Sequence, residues 1–141
     1  GVQTCALPIF NRDGGPEPPV GISVPQAMYD DFVKISEPIQ KIRPDYPFEV
    51  KVREPRKRPT RMGGTDASVF AIEGVPTLGF TTEDFKGYDF DYGEIWHTER
   101  DLYTKNIPEY QEHTATVTAI IALGVANLDK QLSREGLYTE E

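Results

Sequence analysis

Three side chains of this sequence have the type and the setting for metal or acid–base chemistry. His97 lies in the segment YGEIWHTERD, among acidic residues, and an imidazole there can bind a metal ion or transfer a proton. Asp13, in FNRDGG, follows a predicted strand end and precedes two glycines. Because α/β folds bind ligands at the ends of their strands, a carboxylate in that place is a candidate ligand. Asp66, in GGTDAS, has a similar setting.

Each of these side chains also has a structural alternative, which the residues alone leave open. A lone histidine is more often a packed or capping residue than a ligand. Asp13 can close an Asx turn in its own loop, and Asp66 can cap a helix that starts near Ser68. The second histidine, His113, lies four residues before Val117 on the edge of an apolar helix face, and we interpret it as structural.

The first elements that must position these residues follow from composition and hydrophobic periodicity. Residues 11–21 (NRDGGPEPPVG) are rich in Pro and Gly and are predicted to form a loop. A helix is predicted from Val24, with Ser23 as its N-cap. Its apolar face consists of Met28, Phe32, Ile35 and Ile39. Pro38 and Pro44 are expected to weaken and end it.

The middle of the chain is predicted to form short strands and one short helix. Residues 48–53 alternate between apolar and polar side chains, which predicts a half-buried strand. A helix is predicted over residues 68–73 and a strand over residues 76–80, followed by a loop over residues 81–96 that is rich in aromatic and acidic side chains.

The last element is the clearest helix. Pro108 is suited to its first turn, Glu109 and Glu112 lie where the helix dipole favours anions, and Lys130 is expected near its end. Its apolar stripe consists of Val117, Ile120, Ile121, Gly124, Val125 and Leu128. The alternation of strands and helices predicts an α/β fold.

Composition and charge limit the function classes. The chain has 141 residues, 38% hydrophobic and 27% charged, which suits one soluble domain. Its net charge of −8 argues against nucleic acid as a partner. The basic run at residues 53–61 is interrupted by two prolines and is predicted to be a solvated loop, with a contact to a substrate carboxylate as the alternative. Its apolar stretches are shorter than the ~20 residues of a transmembrane helix.

Residues 1–9 (GVQTCALPI) differ from everything that follows. They resemble the translation of sequencing-adapter DNA, and we expect them to be an artefact joined to a truncated gene. Cys5, the single cysteine, would then carry no function and can form no internal disulfide. The alternative is a genuine buried strand that includes ALPIF.

Two segments in order carry a family resemblance. GGTDASVFAIEGVPTLGF, followed by YGEIWHTERDLYTKNIPEYQEHTATVTAIIALGVANLDKQLSRE, is similar to the C-terminal half of the M28 zinc peptidases, a family of aminopeptidases with a plasma-carboxypeptidase-like branch. The similarity covers nearly everything from Phe10 onward. It implies that residues 10–141 are the C-terminal portion of a three-layer αβα zinc-exopeptidase fold with a mixed sheet, and that this portion is incomplete.

The resemblance also implies roles for single residues. FNRDGG resembles a family motif whose aspartate binds one zinc ion of a pair, which implies that role for Asp13. WHT resembles a family motif whose histidine binds the second zinc ion, which implies that role for His97. GGTDAS resembles a segment whose aspartate works beside the metals, so Asp66 is expected to support a ligand or face the substrate. Ala67 departs from the histidine that is frequent there. Asp101 is expected to anchor the turn that aims His97.

The implied chemistry is hydrolysis of a peptide bond by a water that two zinc ions activate, with a carboxylate base passing its proton to the leaving amine. In the family, that base and the remaining ligands all precede the FNRDGG position. We therefore expect that this chain retains no general base, binds no zinc at stoichiometry and hydrolyses no peptide alone. The parent enzyme would be secreted or periplasmic and act on peptides.

Two other functions remain open on the same fold. One is a non-catalytic binding module or ectodomain, and the other is a glutaminyl-cyclase-like transferase that uses a single zinc. The presence of Asp13, Asp66 and His97 together favours the peptidase. The upstream gene would separate these possibilities, because it either carries or lacks the histidine–aspartate and glutamate–glutamate motifs.

Overall fold

The computed structural model of the chain describes residues 8–12, 14–90 and 92–139. The strands are β1 (Ile9–Phe10), β2 (Pro19–Val24), β3 (Glu49–Val52), β4 (Thr77–Leu78) and β5 (Phe80–Thr82). The helices are α1 (Tyr29–Ile42), α2 (Ser68–Ile72), α3 (Tyr92–Ile95) and α4 (Pro108–Ala126), with 3-10 turns at Gln26–Met28 and Tyr103–Lys105.

β2 is the central strand of a three-stranded sheet in the order β3-β2-β5. β3 pairs with it in parallel, from Gly21 opposite Glu49 to Val24 opposite Val52. β5 pairs with its other edge antiparallel, and β1 and β4 form a separate parallel pair. The α/β class and the mixed sheet predicted from the sequence are therefore confirmed.

The core lies where α1 and α4 pack on each other and on this sheet. The predicted apolar face is confirmed: Phe32, Ile35 and Ile39 of α1 are buried, and so is Met28, which ends the 3-10 turn before the helix. On α4, Val117 and Ile121 are buried as well, and Ile120 and Val125 pack against the same cluster. Leu128, which was predicted on the same helix stripe, also packs there but lies beyond the end of α4. Pro108 begins α4, as predicted.

The start of the first helix was predicted wrongly. Ser23 and Val24 belong to β2 instead of a helix, and α1 begins at Tyr29. The predicted loop at residues 11–21 likewise ends early, because β2 starts at Pro19. Proline is tolerated at the first residue of a strand. Gly21 is required by the pairing, since a Cβ there would lie 2.5 Å from the carbonyl oxygen of Glu49.

Three later boundaries also differ from prediction. The single strand expected over residues 76–80 is two strands in different sheets, β4 and β5, separated by Gly79. The loop expected over residues 81–96 begins inside β5 and contains α3. α4 ends at Ala126, so Lys130 lies beyond the helix and forms an ion pair of 3.1 Å with Asp31.

At the start of the described residues, Ile9 and Phe10 form β1, and the amide of Ile9 donates a hydrogen bond of 2.9 Å to the carbonyl of Pro76. Cys5 lies outside the described residues, and the adapter origin of residues 1–9 stays a prediction. Among the helices of the described ranges, none has the length and apolar character needed to cross a bilayer.

Candidate functional site

His97 occupies the turn that ends α3. Its φ of 57° is in the left-handed region, where a non-glycine residue costs about 1–2 kcal/mol. Residues held in that region often lie at functional sites. The hydroxyl of Thr98 closes the helix by donating to the carbonyls of Glu94 at 2.8 Å and Ile95 at 3.1 Å. The turn therefore leaves the imidazole of His97 exposed at a fixed place on the chain.

The imidazole lines a cavity of about 660 Å³. Three parts of the chain form its walls: the loop before β2 (residues 12 and 14–16, the first loop), α3 with its C-terminal turn, and the segment that leads into α4 together with the first turns of α4. The lining residues are Arg12, Gly14, Gly15, Pro16, Tyr92, Ile95, Trp96, His97, Asp101, Leu102, Tyr103, Lys105, Asn106, Gln111 and Thr114. The cavity thus joins segments that are about 80 residues apart in the sequence.

The first loop brings the neighbours of Asp13 to this cavity. Arg12 and Gly14 both line it, while Asp13 itself lies outside the described residues and its role as a zinc ligand stays a prediction. Arg12 shapes the loop by donating to the carbonyls of Gly15 at 2.9 Å and Glu17 at 2.7 Å.

Gly15 fixes how closely this loop approaches α3. A Cβ at Gly15 would lie 2.9 Å from ring atoms of both Phe90 and Tyr92. A side chain at that position would require the loop or these rings to shift, so glycine permits the close approach of the loop to Phe90 and Tyr92.

The other two predicted residues fall in different places. Asp101 lines the cavity with His97, and its amide donates a hydrogen bond of 3.2 Å to the carbonyl of Thr98. Asp66 is exposed and lines a separate depression with Met62 and Phe70. Ala67, and not Asp66, is the N-cap of α2. The structure therefore brings Asp101 to the cavity of His97 but not Asp66.

An aromatic wall beside His97 was not predicted. Trp96 stacks on Tyr92, with ring centroids 6.5 Å apart, and meets the imidazole of His97 edge-on at 4.8 Å. Trp96 is 60% exposed, and Tyr103, which also lines the cavity, is 91% exposed. The density of aromatic residues in YGEIWHTERDLY was the available signal. This wall offers apolar area to an organic ligand beside the imidazole.

Glu109, in the first turn of α4, is the centre of a polar network near the site. Its carboxylate accepts hydrogen bonds from the ammonium of Lys86 at 2.5 Å, from the hydroxyl of Tyr46 at 2.9 Å and from the hydroxyl of Tyr88. These donors, that of Lys86 most, lower the pKa of Glu109 to about 2. The same contact raises the pKa of Lys86.

Asp84 forms the second half of this network. Its carboxylate accepts the hydroxyl of Tyr110 at 2.7 Å and the amides of Tyr88 and Asp89 at 3.0 and 2.9 Å. The hydrogen bond from Tyr110 is the main reason that the pKa of Asp84 is lowered. Burial, and then Asp84, raise the pKa of Tyr110 to about 12.

His113 is fully buried in α4, which agrees with its interpretation as structural. Its Nε2 is 3.0 Å from the carbonyl oxygen of Pro19. Because a carbonyl only accepts hydrogen bonds, Nε2 carries the proton and donates it. His113 therefore connects α4 to the first residue of β2.

The described residues do not form a zinc site by themselves. In the described ranges, no three His, Cys, Asp or Glu side chains come together as a group that could hold a metal ion. Zinc sites usually have four ligands, three of them from protein at catalytic sites, and His97 supplies one.

Comparisons with protein-family models, curated proteins and solved structures found no match to the chain. The resemblance to the M28 peptidases accordingly stays a prediction from the sequence motifs.

Proposed function

We propose that this chain carries the C-terminal portion of the catalytic domain of a co-catalytic zinc exopeptidase of the M28 type. In this proposal Asp13 and His97 each bind one of two zinc ions, whose other ligands come from upstream sequence of the parent enzyme. The substrate is a peptide, and the parent is secreted or periplasmic.

One observation carries the proposal. Arg12 and Gly14, which flank Asp13 in the sequence, line the same cavity as His97. The two motifs with which the resemblance associates zinc thus contribute to one concave site. Had the two motifs bordered different cavities, the resemblance would have had no structural support.

The shape of the cavity also suits a peptide end. Its walls combine exposed aromatic rings, Trp96 and Tyr103, with the polar side chains of Asn106 and Gln111. Ligand sites of this kind bind a side chain on the apolar wall and use a few polar groups to orient the backbone.

The decisive experiment uses the complete gene from the same source DNA. Its product is assayed for zinc-dependent release of terminal residues from a panel of dipeptides, with a chelator as the negative control. We expect His97→Ala and Asp13→Ala to lower kcat/KM by at least about a hundredfold, since even the groups that support metal ligands contribute about 10–100-fold.

Glu99→Gln is the matched control, because Glu99 is an exposed, charged residue two positions from His97. It should leave kcat/KM within about twofold, since surface substitutions have small effects. Full activity of the His97→Ala enzyme, or a complete gene product that hydrolyses no peptide, would refute the proposal.

A further inference from the structure

We propose that Glu109 is a positioning residue that fixes the approach segment, residues 84–90, and through it the turn that presents His97 to the cavity. The claim that this positioning serves catalysis rests on the proposed function. The effect of Glu109 on the turn is a property of the chain itself and can be measured without zinc or substrate.

The approach segment is attached to α4 at two places. Lys86 and Tyr88 donate hydrogen bonds to the carboxylate of Glu109. Asp84 accepts the hydroxyl of Tyr110, and the amide of Lys86 donates to the same hydroxyl at 3.0 Å. The segment is therefore bound to the first turn of a 19-residue helix that packs in the core.

The segment is also bound to itself in a defined shape. The carboxylate of Asp84 accepts the amides of Tyr88 and Asp89, which folds the segment back on its own start. Asp89 adopts a φ of 59°, a conformation that L side chains rarely adopt without such support. The direction in which the chain leaves toward Phe90 is thus set by these bonds.

The end of the segment leads directly into the site. Phe90 packs on Gly15 of the first loop, and Tyr92 begins α3 against the same glycine. α3 has only four residues, and a single turn of helix has no stability of its own. The position of His97, two residues after α3, therefore depends on tertiary contacts. These include burial of Ile95, the ion pair of 3.9 Å between Glu94 and Lys105, and the attachment of the approach segment that precedes the helix.

A purely structural role for Glu109 would have a different consequence. Loss of its hydrogen bonds would then lower the free energy of unfolding and leave the folded turn unchanged. A measurement of the mobility of the turn in the folded protein distinguishes the positioning role from the purely structural role.

The experiment is ¹⁵N relaxation NMR on the full 141-residue chain, comparing Glu109→Gln with the unsubstituted protein. Glutamine keeps the size of the side chain but loses the charge that Lys86 contacts. We expect backbone order parameters of residues 92–98 to fall from about 0.85 to about 0.6 or below, with a matching fall for the indole N–H of Trp96.

Glu112→Gln is the matched control. In the described ranges, the side chain of Glu112 lies on the same helix and forms its ion pair, of 3.0 Å, with Arg43 instead of with the approach segment. We expect it to leave the order parameters of residues 92–98 unchanged. An unchanged turn in Glu109→Gln, or an equal fall in Glu112→Gln, would overturn the inference.

Tyr88→Phe decides the matter if Glu109→Gln does not fold. It removes one hydroxyl from a half-exposed ring and leaves the core intact. It should lower the same order parameters, by less than the glutamine variant would; a turn as rigid as in the unsubstituted chain would overturn the inference. A loosened turn together with a complete gene product that lacks peptidase activity would refute the proposed function alone.

Discussion

The imidazole of His113 stacks on the ring of Tyr46, with centroids 4.0 Å apart and planes inclined by 22°. This stack and the hydrogen bond to Pro19 hold the histidine between α4, the loop after α1 and the start of β2. Burial is the main reason that the pKa of His113 is lowered from 6.5. The histidine is therefore neutral in the folded chain at neutral pH.

We expect the stability of the chain to fall as the pH falls below 6.5. The unfolded state binds a proton near pH 6.5, whereas the folded state resists it because the pKa of His113 is lowered. The contribution of His113 to the free energy of unfolding is therefore complete above pH 6.5. It is lost as the pH falls toward the lower pKa that His113 has in the folded state. Among nearby charges, Arg43 and Lys86 also oppose protonation and Asp45 favours it.

The measurement is urea unfolding between pH 7.5 and 5. His113→Gln, which can still donate to Pro19, should flatten the dependence on pH in this window. His97→Gln is the control, because it removes the other histidine of the chain at an exposed position and should keep the dependence. The explanation fails if both variants behave alike.

Glu109 gives a second, separate pH window. Its pKa of about 2 in the folded chain is below the ordinary 4.5, so its contribution to stability is present above pH 4.5 and is lost as the pH falls toward 2. Glu109→Gln should therefore reduce the loss of stability between pH 4.5 and 2. The check is the same unfolding measurement in acid, and a slope as steep as that of the unsubstituted chain would contradict it.

The two long helices of this chain, α1 and α4, could be predicted from the sequence, whereas its central strand could not. The spacing of Phe32, Ile35 and Ile39 on α1 requires one buried face, and the structure has it. β2 could not be recognised within PEPPVGISV, because Pro19 and Gly21 are typical of loops. Pro19 is tolerated because it is the first residue of the strand, and Gly21 is required by the close carbonyl of Glu49 on the neighbouring strand.

The site was predictable only in part, for a similar reason. The motif WHT singled out His97, and the structure places its imidazole on a cavity wall. α3 was missed because its four residues are too few for a periodic pattern. The part of the cavity lined by Tyr103 and Gln111 depends on how the segment before α4 and the first turn of α4 pack relative to α3, and no local pattern encodes that arrangement.

A titration with zinc tests the expectation that this chain holds too few of the metal ligands to bind zinc by itself. We expect isothermal titration of the 141-residue chain to show no saturable site at one zinc per chain, because His97 supplies one of the three or four ligands that zinc sites require. His97→Ala should not alter the result. A tight, saturable site that disappears in His97→Ala would mean that this chain completes a zinc site alone.

Gly124 offers a test of the packing between the two long helices. A Cβ there would lie 2.9 Å from Cγ1 and 3.1 Å from Cβ of Ile35, which is stiff because it is branched at Cβ. Gly124→Ala should therefore destabilise the chain by about 1–3 kcal/mol from overpacking, reduced by the roughly 1 kcal/mol that alanine gains in a helix. Chemical denaturation gives this difference in the free energy of unfolding directly.

A double-mutant cycle tests the contact between Gly124 and Ile35. Gly124→Ala and Ile35→Ala together should lower the free energy of unfolding by less than the sum of the single changes, because the truncated side chain leaves room for the new methyl group. Strict additivity, or a stabilised Gly124→Ala variant, would show that α1 and α4 do not meet at these residues.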